Sequence, residues 1–490
     1  MKQKNVLLLF SDQHRGDWLP GANGVQGLDM PNLLSLSEEG FTFTNCVTPS
    51  PLCAPARACL ALGDDYDHCG TYNNRFCMPT DRETVYSLIR DRGFLVGSAG
   101  KLDLHKPCLY WSESGWLPQL GRIGFTDAVD SEGKWDTLWA SYNEANGPYG
   151  AYLRTNGLMG EYARDYTSRF FDPMITAPTS LPDEAYADNW VTDTALGILD
   201  RFYASGQPWF MTVNFSGPHD PWDITESMAE EADAFDPPLD GGCGMDPGLL
   251  KNVRKNYGEM LKNIDRNIGK VLDSLRRSGQ YGDTLIIYSA DHGEMLGDRG
   301  QYYKSKPYRA SVHIPLILSG PGILHGERTD TPVQLQDVSA SIAEWCGAAL
   351  PKDRDGRSLL GIAVGRDTSP VRNCQISKLS RSVMTNDSFR GYEEYSAYEK
   401  TMSDRTFFSG ICRDLGIPWK EIPPVNRENV SDWACLITEE YKLILYADGR
   451  KELYRTDDKF EQDDLSGNEP ELAGQLEKRY HLRVFRGETI

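Results

Sequence analysis

Polar side chains that can bind ions or transfer protons follow four short apolar runs of the sequence. These residues are Asp12 and Gln13 after the run at 5–10, Lys101 after 94–98, His219 after 208–215, and Asp291 with His292 after 284–289. Short, uninterrupted apolar runs are typical of strands buried in a parallel sheet. Ligand sites in such sheets lie at the carboxyl ends of the strands. We therefore expect these side chains to meet at one edge of a sheet.

Four of these residues form a candidate metal site, namely Asp12, Gln13, Asp291 and His292. Two carboxylates and an amide oxygen suit a hard divalent cation, which favours calcium, and the imidazole also admits manganese. A single aspartate at a strand end more often caps the helix that follows. The prediction therefore depends on the occurrence of two such pairs after separate strands.

A candidate nucleophile, Cys53, lies in the segment "CAPARACLALG". Pro55 suits the first turn of a helix and Gly63 suits its end, so Cys53 is predicted at the helix N-terminus. Backbone N–H groups and the helix dipole bind anions there. Arg57, one turn later on the same face, is expected to face the same anion. The alternatives are a buried structural cysteine and a protease-type thiol paired with His219.

The elements that must position these residues alternate between strands and helices. A fifth apolar run at 314–320 is predicted as another buried parallel strand, and the charged stretch at 249–277 as an outer helix. This alternation predicts an α/β fold with a large, mostly parallel sheet flanked by helices.

The end of the chain has a different pattern. A polar, irregular stretch covers 366–432, and the segment at 434–456 is predicted to form a hairpin with Asp448-Gly449 at its turn. We therefore predict a catalytic domain at 1–365 and a smaller C-terminal α+β subdomain with an antiparallel sheet at 366–490.

Composition limits the partners. The chain has 490 residues and a formal net charge of −20, which argues against nucleic acid and against an anionic membrane surface. Its 11 cysteines are odd in number and scattered, which favours reduced thiols over a disulfide framework. No signal peptide or membrane span is evident, so a cytoplasmic location is expected, or a periplasmic or secreted one if a leader was removed.

Several segments together resemble the formylglycine-dependent sulfatase family of the alkaline phosphatase superfamily. The segment "CAPARACLALG" is similar to the family signature Cys-x-Pro-Ser/Ala-Arg, although Leu62 stands where a threonine is usual. "NVLLLFSDQHRGD" and "SADHGEMLGDRGQYYKSKPYRASVHIPLIL" resemble the two metal-binding segments. The similarity extends to "DGRSL" and to the C-terminal "YKLILY" and "KELY". It implies an alkaline-phosphatase-like fold with a smaller C-terminal sheet.

The resemblance also implies a mechanism. A formylglycine-generating enzyme would oxidise Cys53 to formylglycine, whose hydrate attacks the sulfur of a sulfate ester. The implied roles are metal binding by Asp12, Gln13, Cys53, Asp291 and His292, charge stabilisation by Arg57, sulfate binding by Lys101 and Lys304, proton acceptance by Asp291, and leaving-group protonation by His219. Lys304 is preferred to Lys306 because of its spacing from the Pro-Tyr pair that follows.

One position departs from the family pattern. Sulfatases usually have a histidine two residues after the equivalent of Lys101, but Asp103 stands there and the histidine comes at His105. Asp103 and His105 are therefore both candidate substrate contacts. Either His105 replaces the family's histidine in a remodelled loop, or Asp103 stands in its place and pairs with a lysine or binds substrate hydroxyls.

Three functions are compatible with these residues. The first is hydrolysis of a sulfate ester, such as a sulfated carbohydrate or another alcohol or aryl sulfate. The second is hydrolysis of phosphonate monoesters or phosphodiesters, since the same nucleophile and metal set suit both. The third is a non-catalytic binding protein, which the complete set of nucleophile and metal ligands disfavours.

Overall fold

The apolar runs form neighbouring strands of an eight-stranded sheet in a computed structural model of the protein, which describes residues 5–21, 24–106, 111–142, 147–380 and 432–486. In spatial order the strands are β10 (Glu327–Thr329), β2 (Gly40–Phe43), β9 (Leu316–Ser319), β7 (Thr284–Ala290), β1 (Asn5–Asp12), β6 (Trp209–Pro218), β4 (Leu95–Gly100) and β5 (Asp127–Asp130). The strands from β7 to β5 are mutually parallel, which confirms the predicted α/β sheet.

The strand predicted at 314–320 differs in direction from the expectation. It forms β9, which is antiparallel to both β7 and β2. A parallel arrangement would need a crossover connection, usually a long helix. The described connection from β7 to β9 contains no long helix, since its one α-helix, Arg309–Val312, has four residues. The prediction of a buried strand was therefore correct, and the prediction of a parallel one was wrong.

The described part of the chain contains fourteen α-helices, most of which pack on the two faces of the large sheet. They are α1 (Pro31–Glu38), α2 (Cys53–Leu62), α3 (Val85–Arg90), α4 (Pro118–Ile123), α5 (Gly133–Tyr142), α6 (Pro148–Thr155), α7 (Met159–Phe171), α8 (Ala187–Ser205), α9 (Glu226–Ala232), α10 (Pro247–Arg277), α11 (Arg309–Val312), α12 (Gln336–Trp345), α13 (Leu360–Ala363) and α14 (Pro470–Arg486). The outer helix predicted at 249–277 corresponds to α10. None of the helices in the described part of the chain is long and apolar enough to cross a membrane.

Strand β1 divides the core into two layers because its side chains alternate between the faces of the sheet. Leu7 and Leu9 pack in one layer with residues of α8 and α10. Leu8 and Phe10 pack in the other layer with residues of α2 and α12. Each of these side chains is essentially inaccessible to solvent, and full burial of such a side chain contributes about 1.5–3 kcal/mol. This packing fixes the direction in which β1 delivers Asp12.

The predicted helix at the candidate nucleophile is confirmed. Helix α2 begins at Cys53, contains Pro55 in its first turn, and ends at Gly63, whose φ of 67° is left-handed. Glycine adopts this conformation without a Cβ penalty, so it ends the helix at this point. Every residue of α2 is buried, so the helix cannot shift without disturbing the core around it.

Two smaller sheets complete the described structure. Short strands β11 (Val333–Gln334), β3 (Cys46–Val47) and β8 (His313–Ile314) form one, and β12 (Gln375–Leu379), β13 (Trp433–Ile437), β14 (Tyr441–Tyr446) and β15 (Lys451–Arg455) form the other. The second sheet is antiparallel and packs against α14. The predicted hairpin is the β14–β15 pair, and the same segment supplies a third strand, β13. Of the irregular stretch predicted at 366–432, residues 381–431 lie outside the described residues.

Candidate active site

The predicted site residues meet at the carboxyl ends of the central strands. Asp12 is the last residue of β1, and Asp291 and His292 directly follow β7. Ligand atoms of these three residues and of Cys53 all lie within 4.8 Å of one another, and all four residues are buried. The parallel strands and the start of α2 therefore build one compact cluster from three separate parts of the sequence.

Gln13 completes a donor set that fits a divalent metal ion. Its backbone has a φ of 77°, which is uncommon for a residue other than glycine and typical of functional sites. Its backbone N–H donates to Asp291 Oδ1 at 3.0 Å, and its side-chain amide donates to Glu294 Oε2 at 2.5 Å. The carbonyl oxygen, Oε1, is buried and has no hydrogen-bond partner within the described structure. A buried acceptor beside two carboxylates and an imidazole suits a hard cation.

The Cys53 thiol lies within a ring of charged groups. Its Sγ is 3.0 Å from Lys304 Nζ, 3.7 Å from Lys101 Nζ, 3.4 Å from His292 Nε2 and 3.9 Å from Asp12 Oδ1. Burial alone raises the pKa of this thiol, and Asp12 adds to that effect. Lys101, Lys304 and His292 outweigh both and bring the pKa well below its usual value. The site therefore favours an anion at position 53.

The two aspartates of the cluster have opposite pKa shifts. Burial raises the pKa of Asp12, but Lys101, which donates to its Oδ2 at 2.5 Å, and the other cations nearby lower it well below the usual value. Burial raises the pKa of Asp291, and repulsion from Asp12 raises it further. A divalent cation between the carboxylates would relieve this repulsion. The electrostatics and the donor atoms thus fit the same kind of ion.

Arg57 supports the cluster through its carboxylates. Its Nε donates to Asp291 Oδ2 at 2.9 Å, one terminal nitrogen lies 3.4 Å from Asp12 Oδ2, and the other donates to the Lys101 carbonyl. The guanidinium is buried and lies over the ring of Phe10. The sequence predicted that Arg57 and Cys53 would face one anion. In the structure Arg57 contacts Asp12, Asp291 and the Lys101 carbonyl, which surround Cys53, and its contact with an anion stays a prediction.

The structure separates the two residues considered for the unusual loop position. Asp103 lies beside the site, 3.4 Å from Lys101 Nζ and 3.1 Å from Lys106 Nζ, and it is fully buried. Burial raises its pKa, but the two lysines lower it far below the usual value. His105 instead faces Asp130, with 3.4 Å between Nε2 and Oδ2. Asp103 therefore pairs with two lysines, Lys101 and Lys106, which is one of the arrangements that the sequence allowed for a carboxylate at this position.

His219 lies beside the site through its contact with Lys304, which also contacts Cys53. Lys304 Nζ contacts His219 Nε2 directly, and it also lies 3.9 Å from Asp12 Oδ1. Burial lowers the pKa of Lys304, but Cys53 and Asp12 raise it above the usual value. Lys304 thus contacts both the residue at position 53 and the imidazole of His219.

Three neighbours of the predicted residues, namely Asp220, Trp135 and Glu294, were not identified from the sequence. Asp220 accepts a hydrogen bond from Trp135 Nε1 at 2.9 Å and lies 3.4 Å from Gln13 Nε2. Glu294, the partner of Gln13, is buried, and burial together with Asp220 raises its pKa to about 7. The sequence offered a signal for two of them, because Asp220 directly follows His219 and Glu294 lies two residues after His292.

Comparison with known families gives one match across most of the chain. Residues 4–348 match the family model described as Sulfatase. This segment includes the central strands, helix α2 and the predicted site residues up to Lys304.

Curated relatives with sulfatase names cover about three quarters of the chain. A choline-sulfatase from Rhizobium meliloti (strain 1021) is 28% identical over 408 residues, which are 75% of this chain and 73% of that protein. An arylsulfatase from Clostridium perfringens is 24% identical over 390 residues, which are 74% of this chain and 79% of that protein.

Solved structures share the fold over nearly the whole chain. A phosphonate monoester hydrolase from Silicibacter pomeroyi has a TM-score of 0.73 at 22% identity and covers 99% of this chain and 96% of its own. A structure solved with its substrate D-glucosamine-2-N,6-O-disulfate has a TM-score of 0.70 at 16% identity and covers 98% of this chain and 97% of its own. The large sheet with its small C-terminal sheet is thus the alkaline-phosphatase-like fold expected from the sequence.

Proposed function

The chain belongs to the sulfatase family of sulfuric ester hydrolases, and we propose that it cleaves its ester with a formylglycine derived from Cys53 and with one divalent metal ion. The observation that carries this proposal is the position of Cys53. Cys53 is the first residue of helix α2. Its buried Sγ contacts two lysines and lies within 4.8 Å of the donor atoms of Asp12, Asp291 and His292. In the mature protein a formylglycine oxygen would replace this sulfur.

The charges of the site suit an anionic ester. Lys101, Lys304 and Arg57 place three cations beside the carboxylates of Asp12 and Asp291. A divalent cation held by Asp12, Gln13, Asp291 and His292 would add positive charge and polarise the oxygens that it contacts. Calcium is the ion we propose, because most of these donors are oxygens, and manganese is the alternative.

The roles of the side chains follow from their contacts. A formylglycine hydrate at position 53 would supply the attacking hydroxyl, and Asp291, whose carboxylate lies within 4.8 Å of Cys53 Sγ, would accept its proton. Lys101 and Lys304 hold the sulfate oxygens beside position 53. Arg57 fixes the carboxylates of Asp12 and Asp291 and adds its charge to the site. His219, whose Nε2 contacts Lys304, protonates the leaving oxygen.

We propose that Asp103 supports the site instead of binding the substrate. Its carboxylate lies between Lys101 and Lys106, and Lys106 also pairs with Asp136 at 2.5 Å. This arrangement orients the Lys101 ammonium towards Asp12 and Cys53. His105, which faces Asp130, has no proposed contact with the ester.

The proposed substrate class is a carbohydrate, alkyl or aryl sulfate. Related proteins are named choline-sulfatase and arylsulfatase, and one structural neighbour was solved with a disulfated glucosamine. Hydrolysis of a phosphonate monoester is the second candidate, since the neighbour from Silicibacter pomeroyi carries that activity in its name and matches 99% of this chain. A protein that only binds its ligand is the third.

A comparison of three ester classes tests this proposal. The protein would be produced together with a formylglycine-generating enzyme and assayed with an aryl sulfate, an aryl phosphonate monoester and an aryl phosphodiester. We expect the highest kcat/KM with the sulfate. A preference for either phosphorus ester by more than about a hundredfold, or about 2.7 kcal/mol, would assign the chain to the second candidate. Absence of turnover with all three would favour the binding protein.

A further inference from the structure

The histidine that faces the ester site is held by the residue that follows it. His219 Nδ1 lies 2.6 Å from the backbone oxygen of Asp220 and 3.1 Å from its side-chain Oδ1. A ring nitrogen that faces two oxygens must carry a hydrogen, because both oxygens are acceptors. Nδ1 is therefore the donor, and Nε2 is the nitrogen that faces Lys304 and accepts from its ammonium group.

The Asp220 carboxylate is itself fixed by contacts on both oxygens. Trp135 Nε1 donates to Oδ2 at 2.9 Å, while His219 Nδ1 and Gln13 Nε2 approach Oδ1 at 3.1 and 3.4 Å. The side chain is only 14% exposed. A carboxylate with partners on both oxygens has little freedom to turn, so it can define the orientation of the imidazole.

The backbone on either side of Asp220 is also held. Lys134 Nζ lies 3.3 Å from the carbonyl oxygen of His219 and 3.4 Å from that of Pro221. Lys134 is buried and pairs with Asp223 at 2.6 Å. Two independent supports, one at the backbone and one at the ring, therefore act on the same histidine.

We propose that Asp220 is a positioning residue for leaving-group protonation: it orients His219 so that Nε2 faces the leaving oxygen, and its charge stabilises the protonated ring. This inference rests on the proposed function and adds to it a residue outside the predicted site. In the step concerned, a bond forms between the nucleophile oxygen and sulfur while the bond from sulfur to the leaving oxygen breaks. The ring enters this step as an imidazolium, with Lys304 turned from Nε2 to a sulfate oxygen. The electron pair of the broken bond stays on the leaving oxygen, which takes the proton from Nε2; the ring becomes neutral, and sulfur is neither oxidised nor reduced.

Leaving groups that differ in acidity distinguish this role from a structural one. A para-nitrophenolate is a stable anion and departs without a proton, whereas a para-methoxyphenolate gains more from general acid catalysis. In the mature Asp220→Asn protein we expect kcat for para-methoxyphenyl sulfate to fall about 10- to 100-fold, within the range of general acid catalysis. We expect kcat for para-nitrophenyl sulfate to change less than about threefold, with KM nearly constant for both esters, because ground-state binding is retained.

Two further variants test whether Asp220 acts through His219. Trp135→Phe removes the N–H that holds Oδ2 and keeps an aromatic ring at this position, so it should cause a smaller loss with the same preference between the esters. The double variant His219→Asn/Asp220→Asn should be no slower with the methoxyphenyl ester than His219→Asn alone, because the two residues form one unit. Thermal midpoints would be measured for every variant.

The outcomes that overturn the inference are separate from those that overturn the proposed function. Equal losses with both esters in Asp220→Asn, or additive losses in the double variant, would show that Asp220 does not act through His219 in leaving-group protonation. If the mature wild-type protein cleaved neither aryl sulfate, the proposed function would fail and this inference with it.

Discussion

Replacement of Lys134 by methionine tests how the loop that carries His219 is supported. Lys134 Nζ lies 2.6 Å from Asp223 Oδ1, and the two side chains are 1% and 0% exposed. Methionine has a similar length and fits an apolar environment, but it removes the charge and all the hydrogen bonds of the ammonium group. The substitution therefore leaves the Asp223 carboxylate buried with its principal cation removed.

The expected loss of stability follows from this burial. Removal of one partner of a buried ion pair costs about 3–5 kcal/mol, since the remaining charge is uncompensated. Tyr166 donates to Asp223 Oδ2 at 2.6 Å and would still stabilise the carboxylate in part. We therefore expect the Lys134→Met protein to lose about 3 kcal/mol of unfolding free energy, the lower end of that range. The double variant Lys134→Met/Asp223→Asn, without the charge, should lose less than the single variant.

Urea unfolding followed by circular dichroism measures these differences, at one pH and one metal concentration for all variants. The matched control is Lys251→Met, since Lys251 forms an ion pair with Asp236 on the surface, where such pairs contribute about 0–1 kcal/mol. An unfolding free energy of the Lys134→Met protein within about 1 kcal/mol of wild type would refute the reasoning. A double variant less stable than Lys134→Met would refute it as well.

Three other predictions follow from the site and its surroundings. Lys304→Ala should lower kcat/KM for an aryl sulfate about 10- to 100-fold through loss of a charge-assisted hydrogen bond, while Lys306→Ala should change it little; equal effects of the two variants in steady-state assays would contradict the assignment. Removal of the metal with a chelator should abolish turnover and lower the thermal midpoint, and calcium or manganese should restore both; a midpoint unaffected by chelation would contradict a metal at the repelling pair Asp12 and Asp291. Burial lowers the pKa of His313 to about 3, so its stabilising effect is present above its unfolded pKa of about 6.5 and is lost as the pH falls towards 3. When the pH falls from 7 to 5, the unfolding free energy of wild type should therefore drop by about 2 kcal/mol more than that of His313→Gln, as measured by urea unfolding at both pH values. Equal drops for the two proteins would refute this.

The site could be predicted from the sequence to the extent that strand ends determine it. Runs of buried residues identified β1, β4, β6 and β7, and the parallel order of these strands placed the residues after them at one edge. Pro55 and Gly63 fixed both ends of helix α2, so the position of Cys53 followed from local sequence alone. These features depend on short-range rules, which a sequence displays directly.

Features that depend on long-range packing could not be predicted. The direction of β9 depends on the path of the connection after β7, which contains no long helix. The partners of Arg57 depend on where buried charges find opposite charges in three dimensions, since Asp291 lies 234 residues away in the sequence. The hydrogen bond from Trp135 to Asp220 Oδ2 belongs to this class too, because the two residues lie 85 positions apart in the sequence.

The central claim is that formylglycine at position 53 is the nucleophile, and a mass measurement coupled to an activity measurement tests it directly. Batches of protein with different extents of maturation would be digested, and the peptide containing Cys53 would be quantified in both forms, the modified one being about 18 Da lighter. We predict that kcat per chain rises in proportion to the modified fraction and approaches zero where Cys53 is intact. Full turnover in a batch with only unmodified Cys53, or in Cys53→Ala, would contradict the account.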